Sequence, residues 1–460
     1  MSFQFSFADS DELELEHEQD GEGVALPADA DTETKASSQG SPSGPQVQPR
    51  EWPWDELVRT LPPFLSYSPI AITLDSAPHK LHLARRDLFD ARFQMLNDND
   101  DDDAEAKLGN SLDALHIAST QSTGVGADSD LVPGVYEGGL KTWECAADLI
   151  AELHARIQKQ GTDRLQLRGK RIIEVSRSVH LLRRMKNIDT LSEMLKQLGC
   201  GTALPSMYIL AQLLQEAAPA SGPSEPTEIH LADFNPEVLR LVTLPNLILT
   251  WYFFSPAAAP FRAASADPSD QDKNKAQEQA PPHSSPSTTG ELDLSTDALL
   301  STFQTDLAST HNIHLRFFSG PWSRPLADLL LSSPPASAAA GKEREAYDIV
   351  LSSETVYSLH TLPALTDMLY TACHPAERSE GDPHAAAALC LVAAKVLYFG
   401  VGGGVHSFVQ AVERGHLASP PPAAEGRRRR PKGQARVVRE VRAGVGRAVL
   451  QVSWADESLE

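Results

Sequence analysis

Two glycines separated by one residue mark the stretch of this chain best suited to holding a small ligand. They lie in the run Leu198-Gly199-Cys200-Gly201-Thr202-Ala203-Leu204-Pro205. Glycine lacks a Cβ, so the backbone there can turn sharply and approach a ligand closely. In a doubly wound α/β sheet, such a turn follows the first parallel strand and marks a nucleotide crevice. The third glycine of a pyrophosphate-binding loop is absent, which favours S-adenosylmethionine and makes a dinucleotide oxidoreductase the weaker interpretation.

A carboxylate at the end of the second strand would complete this crevice by accepting hydrogen bonds from ribose hydroxyls. Asp233 stands where that group is expected, after the apolar residues Ile229 and Leu231. Its separation from Gly201 exceeds the usual spacing, and the Pro-, Ser- and Glu-rich stretch 217–227 accounts for the excess. We therefore predict that Asp233 binds the ribose. The alternative is that Asp233 caps the following helix.

The elements that must position these groups are predicted from hydrophobic periodicity. Alternating apolar residues at 69–84 predict a hairpin, and helical spacing over 140–157 predicts a helix. Strand-like segments lie at 171–174, 228–232, 314–318, 347–352, 389–395, 435–441 and 447–454. Together they predict an α/β fold, a seven-stranded doubly wound sandwich whose sheet ends in an antiparallel hairpin.

The 460-residue chain divides by composition into two regions. Residues 1–125 are predicted to be an acidic, largely disordered region with a short structured segment near 51–93, because large apolar groups are scarce. Residues 126–460 are predicted to form one domain. Composition, or departure from the surrounding pattern, marks insertions in that domain at 175–197, 262–293, 332–346, 374–388 and 418–436.

The net charge and the spacing of the cysteines limit which partners and which cellular compartment are expected. A formal net charge of -22 disfavours direct contact with nucleic acid, although the basic run 427–432 leaves a nuclear-targeting or RNA-contacting patch open. The four cysteines are far apart and form no CxxC pair, so neither a disulfide framework, a metal site nor an oxidising compartment is expected. No apolar stretch reaches about 18 residues. We expect a monomer in the cytoplasm and nucleus that does not span a membrane.

Several longer runs are not explained by periodicity. In chain order they are Asp130–Cys145, Asp233–Asn235, Thr243–Asn246, Phe317–Trp322, Tyr347–Tyr357 and Ala394–Gly404. Together these runs closely resemble the eukaryotic protein-histidine N-methyltransferase family. The resemblance spans about residues 128–454 and implies a seven-strand methyltransferase fold with S-adenosylmethionine as cofactor. It further implies that one histidine of the large-subunit ribosomal protein L-three is methylated, at the ring nitrogen remote from the backbone (the tele nitrogen).

The resemblance also implies roles for individual residues. Contacts to the cofactor fall on Trp143, Glu144, Gly199, Gly201, Asp233, Asn235, Trp322 and Ser353, with Glu137, Gly138 and Lys141 in the same wall. Glu354 and Tyr357 are the catalytic candidates, and 398–404 shapes the substrate side. A carboxylate at Glu354 would accept the N–H of a neutral imidazole, fixing its tautomer and stabilising the charge that develops on the ring. The alternative role for Glu354 is to cap a helix that begins near Thr355.

Residues 175–197 depart from the family pattern, because excising them joins Glu174 directly to Leu198. We hypothesise a translated, unspliced intron, since Val175-Ser176 can be encoded by the splice-donor sequence GTGAGT and Gln197 by the acceptor CAG. A retained insert would separate strand from loop and weaken cofactor binding. The insertion therefore leaves an inactive binding scaffold open as an alternative. A protein-lysine methyltransferase of the same superfamily is a separate alternative.

Overall fold

The computed structural model describes the chain from residue 48 onward in separate stretches, which are 48–74, 80–97, 140, 142–176, 201–216, 225–265, 286, 288–332, 346–374, 388–398, 402–415 and 432–454. The strands are β1 (Arg50–Trp52), β2 (Phe64–Ile72), β3 (Leu81–Arg86), β4 (Arg171–Ser176), β5 (Thr227–Asp233), β6 (Gly290–Asp293), β7 (Ile313–Ser319), β8 (Ile349–Ser353), β9 (Leu389–Lys395), β10 (Gly433–Val441) and β11 (Arg447–Trp454). The helices are α1 (Trp54–Val58), α2 (Leu88–Asn97), α3 (Glu144–Ile157), α4 (Leu204–Gln215), α5 (Pro236–Phe254), α6 (Ala259–Ser265), α7 (Asp297–Thr305), α8 (Arg324–Leu330), α9 (Leu362–Cys373) and α10 (Val405–Arg414).

A large, mostly parallel sheet forms the centre of the fold, in the order β1-β7-β5-β4-β8-β9-β11-β10. Strands β7, β5, β4, β8 and β9 run parallel, whereas β11 is antiparallel to both β9 and β10. The predicted α/β class is confirmed. The strand count differs from the predicted seven because Arg50–Trp52 adds an antiparallel edge strand beside β7. The order reverses between β4 and β8, and ligands bind at the carboxyl ends of strands beside such a reversal.

Apolar side chains cover both faces of the central strands. Successive residues of a strand point to opposite faces, so Ile172 packs into one buried layer and Ile173 into the other. The first layer contains α3, α4 and α5, and the second contains α8, α9 and α10. The aromatic run at the end of α5, Trp251–Phe254, is buried in the first layer, as predicted for core residues.

A second, three-stranded sheet has the order β3-β2-β6. The predicted hairpin at 69–84 is confirmed, with Ile70 opposite Leu83. The predicted insertion 262–293 is wrong at both ends, since α6 runs to residue 265 and β6 pairs with β2. Leu292 of β6 is buried opposite Leu65. The sequence did not predict this strand because Leu292 lies in a stretch of mostly polar residues.

Two other insertion boundaries also need correction. The predicted insertion 418–436 ends too late, because β10 already begins at Gly433 and pairs with the end of β11. The predicted insertion 175–197 begins too early, since Val175 and Ser176 continue β4 alongside Ser352 and Ser353. Backbone pairing between strands sets both boundaries, and this pairing cannot be read from the amino-acid composition. Residues 1–47, 177–200 and 416–431, on which other predictions fall, lie outside the described residues.

No single helix in the described stretches is long and apolar enough to cross a membrane, although one pair would pass on length and composition. That pair is Pro236–Phe254 and Pro256–Ser265, whose axes meet at 87°.

Candidate functional site

Polar side chains gather at the carboxyl edge of the large sheet in two neighbouring groups. We call the first the β5 half, which comprises Gly201–Ala203 and Asp233–Asn235. We call the second the β8 half, which comprises Ser353–Tyr357, Lys395–Tyr398 and the start of α3 at Trp143–Cys145. Because β4 lies between β5 and β8, the two halves border the same point of strand-order reversal.

The Asp233 carboxylate organises the β5 half. It is 2% exposed, and its Oδ2 accepts a hydrogen bond of 3.0 Å from the backbone N–H of Gly201. Its Oδ1 accepts a bond of 2.9 Å from the N–H of Asn235. Gly201 has a φ of 54°, a conformation that glycine adopts at little cost. The structure thus brings Gly201, Asp233 and Asn235 together as predicted from the sequence, whereas Gly199 lies outside the described residues.

Side chains of α5 hold the carbonyl groups of the glycine loop. Thr243 donates to the carbonyl oxygen of Gly201 at 2.7 Å, and Asn246 donates to that of Thr202 at 2.9 Å. A π-helical turn at Leu239–Thr243 precedes these contacts, and such turns are frequent at functional sites. The Thr243–Asn246 run, which periodicity does not explain, therefore has a physical role in fixing the loop.

Asn235, rather than Asp233, caps the helix that follows β5. The Asn235 Oδ1 accepts from the N–H of Glu237 at 3.0 Å. The alternative that Asp233 is the helix cap is therefore wrong. A role for Asn235 in binding the cofactor stays a prediction.

Trp322 follows β7 and lies near the same edge. The backbone N–H of Gly320, two residues earlier, donates to the carbonyl oxygen of Asp233 at 3.1 Å. The Trp322 ring is 8% exposed, and its indole N–H has no acceptor among the described residues. A buried N–H without an acceptor is costly, so this group is suited to donate to a ligand.

Glu174, at the end of β4, is a functional candidate that sequence reasoning missed. Its Oε2 accepts from the backbone N–H of Ser206 at 2.8 Å and from its hydroxyl at 2.5 Å, in the first turn of α4. Burial raises the pKa of Glu174 to about 7, and the Ser206 donors only partly offset this. Its position directly before the glycine loop was the available signal, once residues 175–197 are set aside.

Glu354 is the central residue of the β8 half. It has a φ of 57°, which a residue with a side chain adopts at a cost, and such strain is concentrated at functional sites. It is 6% exposed, and its backbone N–H donates to the carbonyl of Ala393 at 2.9 Å. The next described helix, α9, begins at Leu362. The alternative that Glu354 caps a helix near Thr355 is therefore wrong.

The two oxygens of the Glu354 carboxyl group differ in their hydrogen-bond partners. The Tyr398 hydroxyl donates to Oε2 at 2.5 Å, whereas Oε1 is buried without a partner among the described residues. Burial raises the pKa of Glu354, and the negative charge of Glu144 adds to that effect. The Cys145 thiol, the Lys395 ammonium and the Tyr398 hydroxyl act in the opposite direction.

Lys395 connects Glu354 with the start of α3. Its Nζ lies 4.9 Å from the ring centroid of Trp143 and 3.8 Å from the Glu144 Oε2. Trp143 and Glu144, predicted to contact the cofactor, are therefore placed beside the β8 half. Lys395 itself was not among the predicted site residues, although it lies in the run Ala394–Gly404 that carries the resemblance.

Tyr357 and Ser353 complete the β8 half. The Tyr357 ring packs edge-on against Tyr398, with centroids 5.9 Å apart. Ser353 is buried at the end of β8, where its backbone pairs with Ser176 on one side and Ala393 on the other. The structure therefore brings both predicted catalytic residues, Glu354 and Tyr357, into contact with one tyrosine, whereas Glu137, Gly138 and Lys141 lie outside the described residues.

This arrangement suits the acceptance of an N–H from a ligand. The described residues include no group of three or more His, Cys, Asp or Glu side chains that could hold a metal ion. A buried carboxyl group with one oxygen available can accept an N–H from a ligand and stabilise positive charge on it.

Comparisons with known proteins point to one family. No protein-family model matches the chain. It is 31% identical over 347 residues to histidine protein methyltransferase 1 of Schizosaccharomyces pombe, covering 73% of this chain and 74% of that protein. It is 28% identical over 326 residues to the protein of the same name from Saccharomyces cerevisiae, covering 71% and 67%. A Bos taurus homolog is 29% identical over 285 residues, covering 62% and 51%.

Proposed function

The chain belongs to the histidine protein methyltransferase family, and we propose that it transfers a methyl group from S-adenosylmethionine to one histidine of the large-subunit ribosomal protein L-three. The observation that supports this best is the Glu354 carboxyl group, buried with one oxygen left for a ligand N–H. We place the reaction in the cytoplasm or the nucleus.

The β5 half fits the proposed methyl donor. When bound, S-adenosylmethionine supplies a methyl group that its positively charged sulfur already activates. Asp233 would accept hydrogen bonds from the ribose hydroxyls. Gly201 would allow the loop backbone to approach the ligand, and the buried Trp322 N–H would donate to a ring nitrogen of the adenine.

The β8 half fits a neutral imidazole as the acceptor. One ring nitrogen must be free to attack, and the other carries a proton. The Glu354 Oε1 would accept that N–H, which selects the tautomer and stabilises the ring as it becomes cationic. Holding the reactants in this orientation can contribute about 7–11 kcal/mol of the barrier reduction. Tyr398 keeps the carboxyl group in place from the opposite oxygen.

We propose the tele nitrogen as the site of methylation. The imidazole nitrogen near the backbone would then carry the proton that Glu354 accepts. This assignment is supported by the resemblance to the family alone, because the open oxygen of Glu354 would accept an N–H from either ring nitrogen.

The position of Lys395 disfavours lysine as the substrate. Its ammonium acts on Glu354 and lies 3.8 Å from Glu144, so both nearby carboxyl groups already face a positive charge. A second ammonium in the same place would be repelled, and lysine must also lose a proton before it can attack. A neutral imidazole meets neither obstacle.

Mass spectrometry of ribosomal protein L-three from cells with and without this gene tests the proposal. We expect one methylated histidine in the first sample and the unmodified residue in the second. Identical methylation in both samples would show that another enzyme modifies L-three. Methylation on a lysine that disappears with the gene would favour the lysine alternative.

A further inference from the structure

Four exposed apolar side chains surround the β8 half. Eight large apolar residues in the described stretches are 37% exposed or more, and half of them lie in the loops around Glu354. We call this group the apolar rim, and it comprises Leu359, Val396, Leu397 and Val445, which are 50%, 48%, 51% and 37% exposed. A set of exposed apolar side chains in one place indicates a binding surface more strongly than the same number scattered singly.

Backbone contacts join the three loops that carry the rim. The N–H of Val396 donates to the carbonyl of Gly446, beside Val445, at 2.8 Å. Leu397 forms a β-bridge with Gly404, and Ser358 forms one with Gly402. The rim is therefore one continuous structure.

Glycines hold these loops against each other. A Cβ at Gly403 would overlap the backbone carbonyl of Tyr357, and a Cβ at Gly404 would overlap that of Val396. Only glycine permits such close backbone contact. The described parts of these loops are thus preformed around the pocket, and a preformed surface binds with a smaller loss of entropy than a mobile one.

The rim is adjacent in sequence to the residues of the pocket. Leu359 follows Tyr357 by two residues, and Val396 and Leu397 separate Lys395 from Tyr398. A polypeptide that presents a histidine to Glu354 would therefore approach the loops that carry these side chains. The rim residues carry no charge, so the part of the partner that gains most from this contact is apolar.

We propose that the apolar rim binds apolar side chains immediately flanking the target histidine of the protein substrate. This inference rests on the proposed function, since it takes the occupant of the rim to be the protein that is methylated at the neighbouring pocket. It makes the rim a determinant of which histidine is modified.

A library of histidine-centred peptides tests the rim independently of any one natural substrate. The peptides vary the two residues on each side of histidine among leucine, tryptophan, serine, aspartate and lysine. The full chain and labelled S-adenosylmethionine are used throughout. The variants are Val396→Ser and Leu397→Ser, with Leu359→Ser as a further rim variant should either fail to fold. Val437→Ser is the matched control, because Val437 is also 48% exposed but lies on the edge strand β10.

We expect the unmodified chain and Val437→Ser to prefer apolar flanks over aspartate or lysine by about tenfold in kcat/KM. The rim variants should reduce that preference to about twofold, chiefly through KM. If the unmodified chain methylates histidine with no preference for its neighbours, the proposed role of the rim is wrong. It is also wrong if the rim variants keep the tenfold preference for apolar flanks. If the rim is instead a contact between two copies, Val396→Ser will halve the mass in sedimentation and leave the peptide preference intact, which also overturns it. Methylation of no peptide, with normal binding of the donor, contradicts the proposed function and the rim with it.

Discussion

The two halves of the site differ in how their polar groups are used. In the β5 half, the Asp233 carboxylate accepts hydrogen bonds from the N–H groups of Gly201 and Asn235. In the β8 half, the Glu354 carboxyl group retains a buried oxygen with no partner among the described residues. Preorganised contacts among neighbours make a rigid binding surface. A buried polar group without a partner is costly, and a ligand that forms a hydrogen bond with it removes that cost. We infer that the β5 half binds the methyl donor and that the β8 half takes part in the reaction.

The two buried glutamates show the same contrast more sharply. Glu174 lies within β4, Glu354 directly follows the neighbouring strand β8, and burial raises the pKa of both. Among the described residues, Ser206 supplies both donors to Glu174 from the first turn of a helix. Glu354 is held in a strained backbone conformation and faces donors and charges from several elements. We infer that Glu174 anchors the loop and that Glu354 takes part in the reaction.

Glu354→Gln is expected to give the largest effect. The amide can still accept from Tyr398, but it cannot stabilise a cationic ring, so kcat should fall by about a hundredfold or more. Calorimetric binding of S-adenosylmethionine should change by no more than about twofold, because the β5 half is intact. Glu440→Gln, a half-exposed carboxylate on the edge strand β10, is the control. A kcat near that of the unmodified chain would remove Glu354 from the reaction.

Glu174→Gln should change the pH dependence of stability. The folded protein holds the proton of Glu174 up to a pKa of about 7, against an ordinary value of 4.5. This contribution to stability is fully present below pH 4.5, falls as the pH rises and is lost above about pH 7. The glutamine variant stays neutral, so its gain in unfolding free energy over the unmodified chain should grow to about 3 kcal/mol by pH 8. Urea unfolding at pH 5 and pH 8 measures this, and a pH-independent difference would contradict it.

Asp233→Ala should weaken binding of the methyl donor. Its loss removes the carboxylate proposed for the ribose and releases the Gly201 N–H, so the dissociation constant should rise about tenfold or more. Asp348→Asn serves as the control, since Asp348 precedes β8 at the opposite edge of the sheet and pairs with Lys170. An unchanged constant in titration calorimetry would exclude Asp233 from the ribose contact.

Deletion of residues 175–197 tests whether the insertion impairs the β5 half. The deletion replaces Val175 and Ser176, which lie beside Ser352 and Ser353, by Leu198 and Gly199. The glycine loop would then follow β4 directly, and we expect the dissociation constant for S-adenosylmethionine to fall by about tenfold through preorganisation. Weaker binding after deletion would show that the segment contributes to the site.

Tyr398→Phe should give the smallest effect, a displaced pH profile. The Tyr398 hydroxyl favours the ionised form of Glu354, so its removal raises the pKa of that carboxyl group further. If ionised Glu354 is required, the acid limb of kcat moves to higher pH by about one unit or less. Donor binding should be unaffected. A shift to lower pH would reverse the assigned role of Tyr398.

Sequence patterns predicted those parts of the fold that short motifs and hydrophobic periodicity specify. Alternating apolar residues gave the 69–84 hairpin, and a glycine pair with a distant aspartate gave the β5 half. The surroundings of Glu354 could not be found this way, because Cys145 and Lys395 meet it from segments more than 200 and about 40 residues away in sequence. Edge strand β1 was missed for the same reason, since its three residues gain their structure only from β7.

Methylation of recombinant ribosomal protein L-three by the unmodified chain and by Glu354→Gln is the most direct test of the account. With isotopically labelled S-adenosylmethionine, tandem mass spectrometry identifies both the residue and the ring nitrogen that receive the label. We predict label on the tele nitrogen of a single histidine with the unmodified chain, and a rate lower by about a hundredfold with Glu354→Gln despite normal donor binding. Label on lysine, or equal rates for the two proteins, would contradict the account.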